Sequence, residues 1–138
     1  MNRYLLDTNV VSELRKLRPH GAVLAWIKQL QPEQIYLSAV TIGELQTGVE
    51  LTRHQDPAKA AEIELWVDQL AESNQVLPMD ASCFREWARL MEGKAEHLIE
   101  DVMIATTARI HQLTIAPRNE RDFRPLGVQV LDPFRTPR

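Results

Sequence analysis

The stretch EDVMIATTARIHQLTIAPRN, residues 100–119, carries the clearest fold signal in this chain. Its first part, Glu100 to Gln112, has a helical pattern, and the short β-prone segment Thr114 to Ala116 follows one residue later. A helix that leads into a brief apolar strand is typical of the crossover that joins two parallel strands of one sheet. The stretch therefore predicts a parallel sheet with helices packed against it.

The same alternation of strands and helices continues outward along the chain. Tyr4 to Leu6 and Ile35 to Ser38 are β-prone, and Val128 to Leu131 is a candidate edge strand. Apolar residues recur at helical spacing in Ala22 to Leu30, Ile42 to Leu51, Ile63 to Leu70 and Phe84 to Met91. The predicted fold class is α/β, with a short parallel sheet of about four or five strands flanked by helices.

Local signals mark where several of these elements begin and end. Asp56, followed by Pro57, predicts an N-cap and the first residue of one helix, and Asp80 predicts the N-cap of the next. The polar stretch from Asn119 to Pro125 is predicted to be a loop. We expect one domain over residues 1–134 and a short tail at residues 135–138.

Length and composition limit the class of protein. The chain has 138 residues, of which 44% are hydrophobic and 25% charged, which suits one globular domain and excludes disordered, collagen-like and coiled-coil proteins. A net charge of −3 argues against a broad basic surface that coats nucleic acid. Cys83 is the single cysteine and cannot form an internal disulfide, so we expect a reducing compartment, the cytoplasm. The apolar runs are too short to span a bilayer, and we expect no membrane partner.

Acidic residues lie where parallel sheets bind their ligands, close to the carboxyl ends of the predicted strands. Asp7 follows the first strand, Glu44 lies early in the helix after the second, and Asp101 begins the helix before the third. Asp122 follows the third strand, close to Asn119. Carboxylates crowded at one edge repel one another unless a hard divalent cation lies between them. Because no histidine occurs at metal-ligand spacing, Mg²⁺ or Mn²⁺ is favoured over zinc.

Each acid also has a purely structural interpretation. Thr41 and Glu44 match the capping box, in which the glutamate bonds back to the start of its helix. Asp7 or Asn9 could cap the first helix, Asp101 could complement a helix dipole, and Asp122 could be a solvated loop residue. Independent caps need not meet at one edge of a sheet, so the joint pattern favours a metal site.

Four sequence blocks in a fixed order carry a family resemblance. They are Asp7-Thr8-Asn9, Ser38-Ala39-Val40-Thr41 with Glu44-Leu45, Asp101 to Ala108, and Arg118-Asn119 with Asp122-Phe123. In these blocks the chain resembles the PIN-domain ribonucleases, specifically the VapC and FitB toxins of bacterial toxin–antitoxin pairs. The resemblance implies a homodimeric endoribonuclease that hydrolyses RNA with Mg²⁺ or Mn²⁺ and is neutralised by a cognate antitoxin protein. It also implies that DNA is contacted only through the antitoxin.

The resemblance assigns roles to three groups of residues. The acids implied to be catalytic and to bind the metal are Asp7, Glu44, Asp101 and Asp122. The polar residues implied to support them are Thr8, Asn9, Thr41 and Asn119. The basic residues that could contact RNA phosphates are Arg118 and Arg121.

Two departures from the family pattern leave a non-enzymatic alternative open. Pro117 stands where the family usually has Thr or Ser, and the fourth acid position falls on either Asn119 or Asp122. We choose Asp122, with Asn119 as a neutral neighbour. If these departures abolish activity, the chain would be a catalytically weak, dimerising partner that supports operator DNA binding by its antitoxin. Metal-dependent cleavage of RNA by the free protein separates the two functions.

Other α/β enzymes that use a strand-end Asp fit the sequence less well. Phosphatases of the haloacid-dehalogenase type have a second Asp two residues after the first, where this chain has Asn9. Receiver domains have an acidic pair near the start and a late lysine at a strand end, and neither is evident here.

Apolar helical stripes give separate support for a homodimer. They contain all three tryptophans, Trp26, Trp66 and Trp87, and a sheet of four or five short strands can hardly cover so many. Large exposed apolar patches usually mark an interface.

Overall fold

The computed structural model describes residues 1–135, and these contain one four-stranded sheet and seven α-helices. The strands are β1 (Tyr4–Leu6), β2 (Ile35–Ser38), β3 (Gln75–Leu77) and β4 (Thr114–Ala116). The helices are α1 (Thr8–Arg15), α2 (Gly21–Lys28), α3 (Ala39–Arg53), α4 (Pro57–Ser73), α5 (Ala81–Met91), α6 (Ile99–His111) and α7 (Glu120–Phe123). Most of the predicted tail, residues 136–138, lies outside the described part of the chain.

All four strands run parallel, in the order β3-β2-β1-β4. Leu5 at the centre of β1 lies opposite Tyr36 of β2 and Ile115 of β4. Helices connect the paired strands, as parallel pairing requires. The predicted α/β class is confirmed, and the carboxyl ends of the strands meet at one edge of the sheet.

Helices cover both faces of the sheet, because alternate side chains of a strand point to opposite sides. Leu5 and Ile115 pack with α6 on one face, whereas Leu6 and Leu37 pack with α1 and α2 on the other. Trp26 of α2 belongs to this second cluster and is 6% exposed. Within residues 1–135, no helix has both the length and the apolar character needed to cross a bilayer.

The predicted helix starts at Asp56 and Asp80 are confirmed. A carboxylate oxygen of Asp56 accepts the backbone amide of Lys59 at 3.1 Å. Asp80 accepts the amide of Cys83 at 3.0 Å in the same way. Both caps therefore fix the first turns of the helices that follow them.

Two strand assignments differ from the sequence prediction. β3 was not predicted, because only Val76 and Leu77 are apolar and the strand lies half-exposed at the edge of the sheet. Residues 128–131 do not form a strand, and they pair with β4 only as an isolated bridge between Ile115 and Val130. A turn follows at residues 133–134, where the Asp132 side chain accepts the amide of Phe134 at 2.8 Å.

The loop predicted at residues 119–125 is also wrong. Asn119 is the N-cap of α7, and its Oδ1 accepts the amide of Arg121 at 3.2 Å. Phe123 at the end of α7 is only 1% exposed and packs into the α6 side of the core. Burial of this one aromatic ring stabilises a helix that the polar sequence around it does not predict.

Candidate active site

Asp7 lies directly after β1, at the carboxyl edge of the sheet, and is only 4% exposed. Although Asp7 is at the N-cap position of α1, its side chain makes no capping bond. Its Oδ2 instead accepts the backbone amide of Arg118 at 3.4 Å. The capping interpretation of Asp7 is therefore wrong, and its carboxylate joins the end of β1 to the chain after β4.

Glu44 does not belong to a capping box. The N-cap of α3 is Ser38, whose Oγ accepts the amide of Val40 at 3.1 Å. The helix thus begins at Ala39, three residues earlier than the motif predicts, and Thr41 and Glu44 lie inside it. The capping interpretation of these two residues is wrong.

A chain of hydroxyl groups leads from Thr41 to Glu44 through Thr8. The fully buried Thr41 has its Oγ1 2.9 Å from Oγ1 of Thr8. Thr8 Oγ1 in turn donates to Oε1 of Glu44 at 2.7 Å. Because a hydroxyl carries one hydrogen, Thr41 donates to Thr8 when Thr8 donates to Glu44. Two residues predicted to support the acids therefore orient one oxygen of Glu44.

Asp101 lies in the first turn of α6 and interacts electrostatically with the other acids. The pKa of Asp101 is raised to about 6, mainly by burial and next by the charge of Asp122. Glu44 and Glu100 act in the same direction, whereas His97 opposes them. Asp101 is thus placed among three other carboxylates.

Asp7 and Glu44 have raised pKa values for the same main reason. The pKa of Asp7 is raised to about 6, mainly by burial, with smaller contributions from the charges of Asp101 and Glu44 and an opposing effect of the Arg118 amide. Burial also raises the pKa of Glu44, while the hydrogen bond from Thr8 lowers it. Asp7, Glu44 and Asp101 come from three separate segments, and the fold brings them into one electrostatic cluster.

The structure adds Glu100 to the neighbourhood of these acids. Successive helical residues point about 100° apart, so helical spacing alone places Glu100 away from Asp101. Its charge nevertheless raises the pKa of both Glu44 and Asp101. The sequence places Glu100 in the first turn of α6, beside Asp101, as an acid that lies at the surface or supports the site.

The fourth position is occupied by two linked side chains. Asn119 Nδ2 donates to Oδ2 of Asp122 at 3.2 Å, while Asn119 Oδ1 caps α7. Asp122 is partly buried, and its charge raises the pKa of Asp101. Asn119 thus orients Asp122, and Asp122 is the ionisable group of the pair.

Arg118 is held by a buried acid that the sequence did not single out. Glu13 of α1 is 5% exposed, and its Oε1 lies 3.6 Å from the Arg118 guanidinium. The centroid of the Phe134 ring lies 4.1 Å from the central carbon of the Arg118 guanidinium. The spacing of the sequence could have indicated Glu13, because it lies one helical turn after Asn9 and three residues before Lys16. Arg121, in contrast, is exposed.

Lys16 and His20 complete the environment of Glu13. Lys16 Nζ donates to Oε1 of Glu13 at 3.0 Å, and the backbone amide of His20 donates to Oε2 at 3.1 Å. The hydrogen bond from Lys16 is the main reason that the pKa of Glu13 lies below its usual range. Glu13 is therefore an ionised, fully bonded carboxylate next to the acidic site.

The donor chemistry of the acidic cluster fits a hard divalent cation. Asp7, Glu44, Asp101 and Asp122 offer only oxygen atoms, the ligands that Mg²⁺ and Mn²⁺ prefer. Burial and, to a smaller extent, mutual repulsion raise the pKa of Asp7 and Asp101, and a cation would relieve the repulsion. Among residues 1–135, no three His, Cys, Asp or Glu side chains are already close enough to hold one ion, so binding would require side-chain rotation.

Comparison with known proteins shows which family this chain resembles in sequence and fold. The model of the PIN domain family matches residues 4–128. The VapC ribonuclease Y4jK of Sinorhizobium fredii is 36% identical over 135 residues, which are 94% of this chain and 96% of that protein. The toxin FitB of Neisseria gonorrhoeae is 34% identical, with 94% of this chain and 97% of that protein covered. The crystal structure of FitAcB from Neisseria gonorrhoeae superposes with a TM-score of 0.79 and 31% identity, covering 96% of this chain and 99% of that one.

Proposed function

The chain belongs to the PIN-domain family and is a relative of VapC and FitB toxins, and on this basis we propose that it is the toxin of a type II toxin–antitoxin pair that cleaves RNA with Mg²⁺ or Mn²⁺. Relatives named as a ribonuclease and as a toxin support the proposal. The reaction is hydrolysis of a phosphodiester bond inside an RNA chain.

The observation that carries the proposal is the mutual electrostatic influence of acids from separate segments. Asp101 raises the pKa of Asp7, and both Asp122 and Glu44 raise that of Asp101. A fold that needed these residues only as caps would have no reason to bring their charges together. Such a cluster is typical of a site that binds a cation.

Asp7, Glu44, Asp101 and Asp122 are the residues that would hold the ion. When bound, a divalent cation supplies Lewis-acid polarisation of the phosphodiester and acidifies a water molecule. Thr41 and Thr8 keep Glu44 in place through their hydrogen bonds. The Arg118 amide holds Asp7, and Asn119 holds Asp122.

The partners follow from the same proposal. The substrate is RNA, the inhibitor is a cognate antitoxin protein, and DNA is contacted through that antitoxin. We place the reaction in the cytoplasm, where the RNA substrate is found. A homodimer is supported by Leu51 on α3 and Leu65 on α4, which are 67% and 64% exposed.

An RNA cleavage assay tests this function. The purified protein, free of antitoxin, should cleave structured RNA in Mg²⁺ or Mn²⁺. This cleavage should stop when EDTA is added. Cleavage that persists in EDTA would contradict the metal site. Absence of cleavage in either metal would favour the alternative of a dimerising partner that assists operator binding.

A further inference from the structure

A cavity adjoins the acidic site on the α1 side. It has a volume of about 300 Å³ and is lined by Asn9, Ser12, Glu13, Lys16 and Arg118. The Arg118 amide bonds to Asp7, and Asn9 follows Asp7 by two residues. The cavity therefore begins where the acidic cluster ends.

Two cations line this cavity, and a buried carboxylate holds both. Lys16 Nζ lies 3.0 Å and the Arg118 guanidinium 3.6 Å from the same oxygen of Glu13. The Lys16 and Arg118 side chains are 62% and 54% exposed, whereas that of Glu13 is 6% exposed. A ligand in the cavity would thus meet the two cations and be shielded from the carboxylate. The three groups together carry one net positive charge.

Hydrogen-bond donors for a ligand are available in the same cavity. The Lys16 ammonium has three donors, and its contacts within residues 1–135 use one of them. The side chains of Asn9 and Ser12 form no hydrogen bond with other described residues and can donate as well. Ammonium, guanidinium, amide and hydroxyl donors around one small cavity match the oxygen atoms of a phosphate.

We propose that this cavity binds a backbone phosphate of the RNA next to the one that is cleaved. The inference rests on the proposed function, because an RNA strand held at the acids continues onto the surface beside them. Asn9 and Arg118 belong to segments that also carry or contact Asp7, so the two sites are rigidly linked. Phosphate contacts of this kind set the register of a nucleic acid without reading its sequence.

Binding of an RNA that resists cleavage tests the cavity separately from catalysis. The probe is a fluorescent, single-stranded 2′-O-methyl RNA of mixed sequence, and its dissociation constant is measured in Mg²⁺ over a range of salt concentrations. Lys16→Gln should weaken binding about fivefold or more and lower the slope of log affinity against log salt by about 0.7. Lys16→Arg, which keeps the charge, should bind within twofold of the parent.

Two further variants make the result independent of folding defects. Ser12→Asp adds a carboxylate to the cavity while leaving the partners of Glu13 in place, and it should weaken binding as Lys16→Gln does. Lys28→Gln removes an equivalent exposed charge from α2 and should bind like the parent. Parent-like affinity and salt slope in both Lys16→Gln and Ser12→Asp would overturn the proposal. A parent that binds this RNA through Lys16 but cleaves no RNA would keep the phosphate site and contradict the nuclease function.

Discussion

Thr8 is the residue at which α1 and α3 meet in the acidic site. Its hydroxyl accepts from the buried Thr41 and donates to Glu44. Removing the donor to a partly buried carboxylate leaves that carboxylate without compensation for lost water, at a cost of about 1–3 kcal/mol. The effect should appear in catalysis, because Glu44 would no longer be held in one orientation.

We therefore expect Thr8→Val to lower kcat for RNA cleavage about tenfold, which corresponds to roughly 1.4 kcal/mol, with little change in KM. Valine preserves the shape of threonine and cannot donate. Thr8→Ser retains the hydroxyl and should recover most of the activity. Steady-state kinetics on a defined RNA provide the measurement, and an unchanged kcat in Thr8→Val would show that Thr8 does not orient Glu44.

Asp7 makes the stability of the metal-free protein depend on pH. Its pKa is about 6 in the folded protein, compared with 3.8 as the ordinary value, so the folded state binds a proton more tightly than the unfolded state. The contribution of Asp7 to the free energy of unfolding is fully present below about pH 4 and is lost as pH rises through about 6. At neutral pH the loss is about 2–3 kcal/mol, since every tenfold difference in proton affinity between the two states corresponds to about 1.36 kcal/mol.

Asp7→Asn should remove this loss. In EDTA, we expect the variant to gain stability relative to the parent as pH rises from about 4 to about 7, by up to about 2 kcal/mol. Urea unfolding at several pH values measures the difference. Asp68→Asn, on the exposed surface of α4, is the matched control for loss of one carboxylate. A gain that is constant across this pH range would contradict the raised pKa of Asp7.

At the level of single elements, α3 begins three residues earlier than the capping-box motif of Thr41 and Glu44 predicts. Ser38 ends β2, caps α3 and is fully buried. We expect Ser38→Ala to lower the free energy of unfolding by about 1–2 kcal/mol, because the amide of Val40 loses its acceptor. Glu44→Gln should have little effect on unfolding, since Glu44 caps nothing. Urea titrations measure the free energy of unfolding of both variants. A larger loss in Glu44→Gln than in Ser38→Ala would support the capping-box interpretation instead.

Elements whose ends depend on local signals could be predicted from sequence. Asp56 and Asp80 bond to amides three residues away, so the signal and its effect lie within one helical turn. The positions of β3 and α7 depend on distant partners instead. Val76 pairs with Leu37 of β2, and Phe123 is buried against α6. No local pattern contains that information.

The same distinction applies to the candidate site. Strand ends and helical segments were enough to expect Asp7, Glu44 and Asp101 near one edge of the sheet, although the start of α3 was predicted three residues too late. The hydroxyl chain from Thr41 to Thr8 joins residues 33 positions apart, and the contact between Glu13 and Arg118 joins α1 to the chain after β4. These contacts exist only after the sheet has formed, which is why the sequence did not indicate them.

For the molecule as a whole, the apolar surface predicts self-association. Trp26 lies in the core, and Trp66 and Trp87 are partly buried against it, so the tryptophans do not supply the exposed apolar surface. Leu51 and Leu65 remain exposed on the packed pair α3 and α4. We expect sedimentation equilibrium at micromolar concentration to give about twice the chain mass of 15.8 kDa. A single species of chain mass would contradict the homodimer.

The proposed function requires acids from separate segments to act as one metal-dependent nuclease site. RNA cleavage in Mg²⁺ or Mn²⁺ should be compared between the parent, Asp101→Asn and Glu44→Gln, with antitoxin removed and Asp68→Asn as the control. We predict that Asp101→Asn and Glu44→Gln each lose cleavage by about a hundredfold or more, while Asp68→Asn cleaves like the parent and EDTA stops both active proteins. Parent-like cleavage by Asp101→Asn and Glu44→Gln would contradict the shared site.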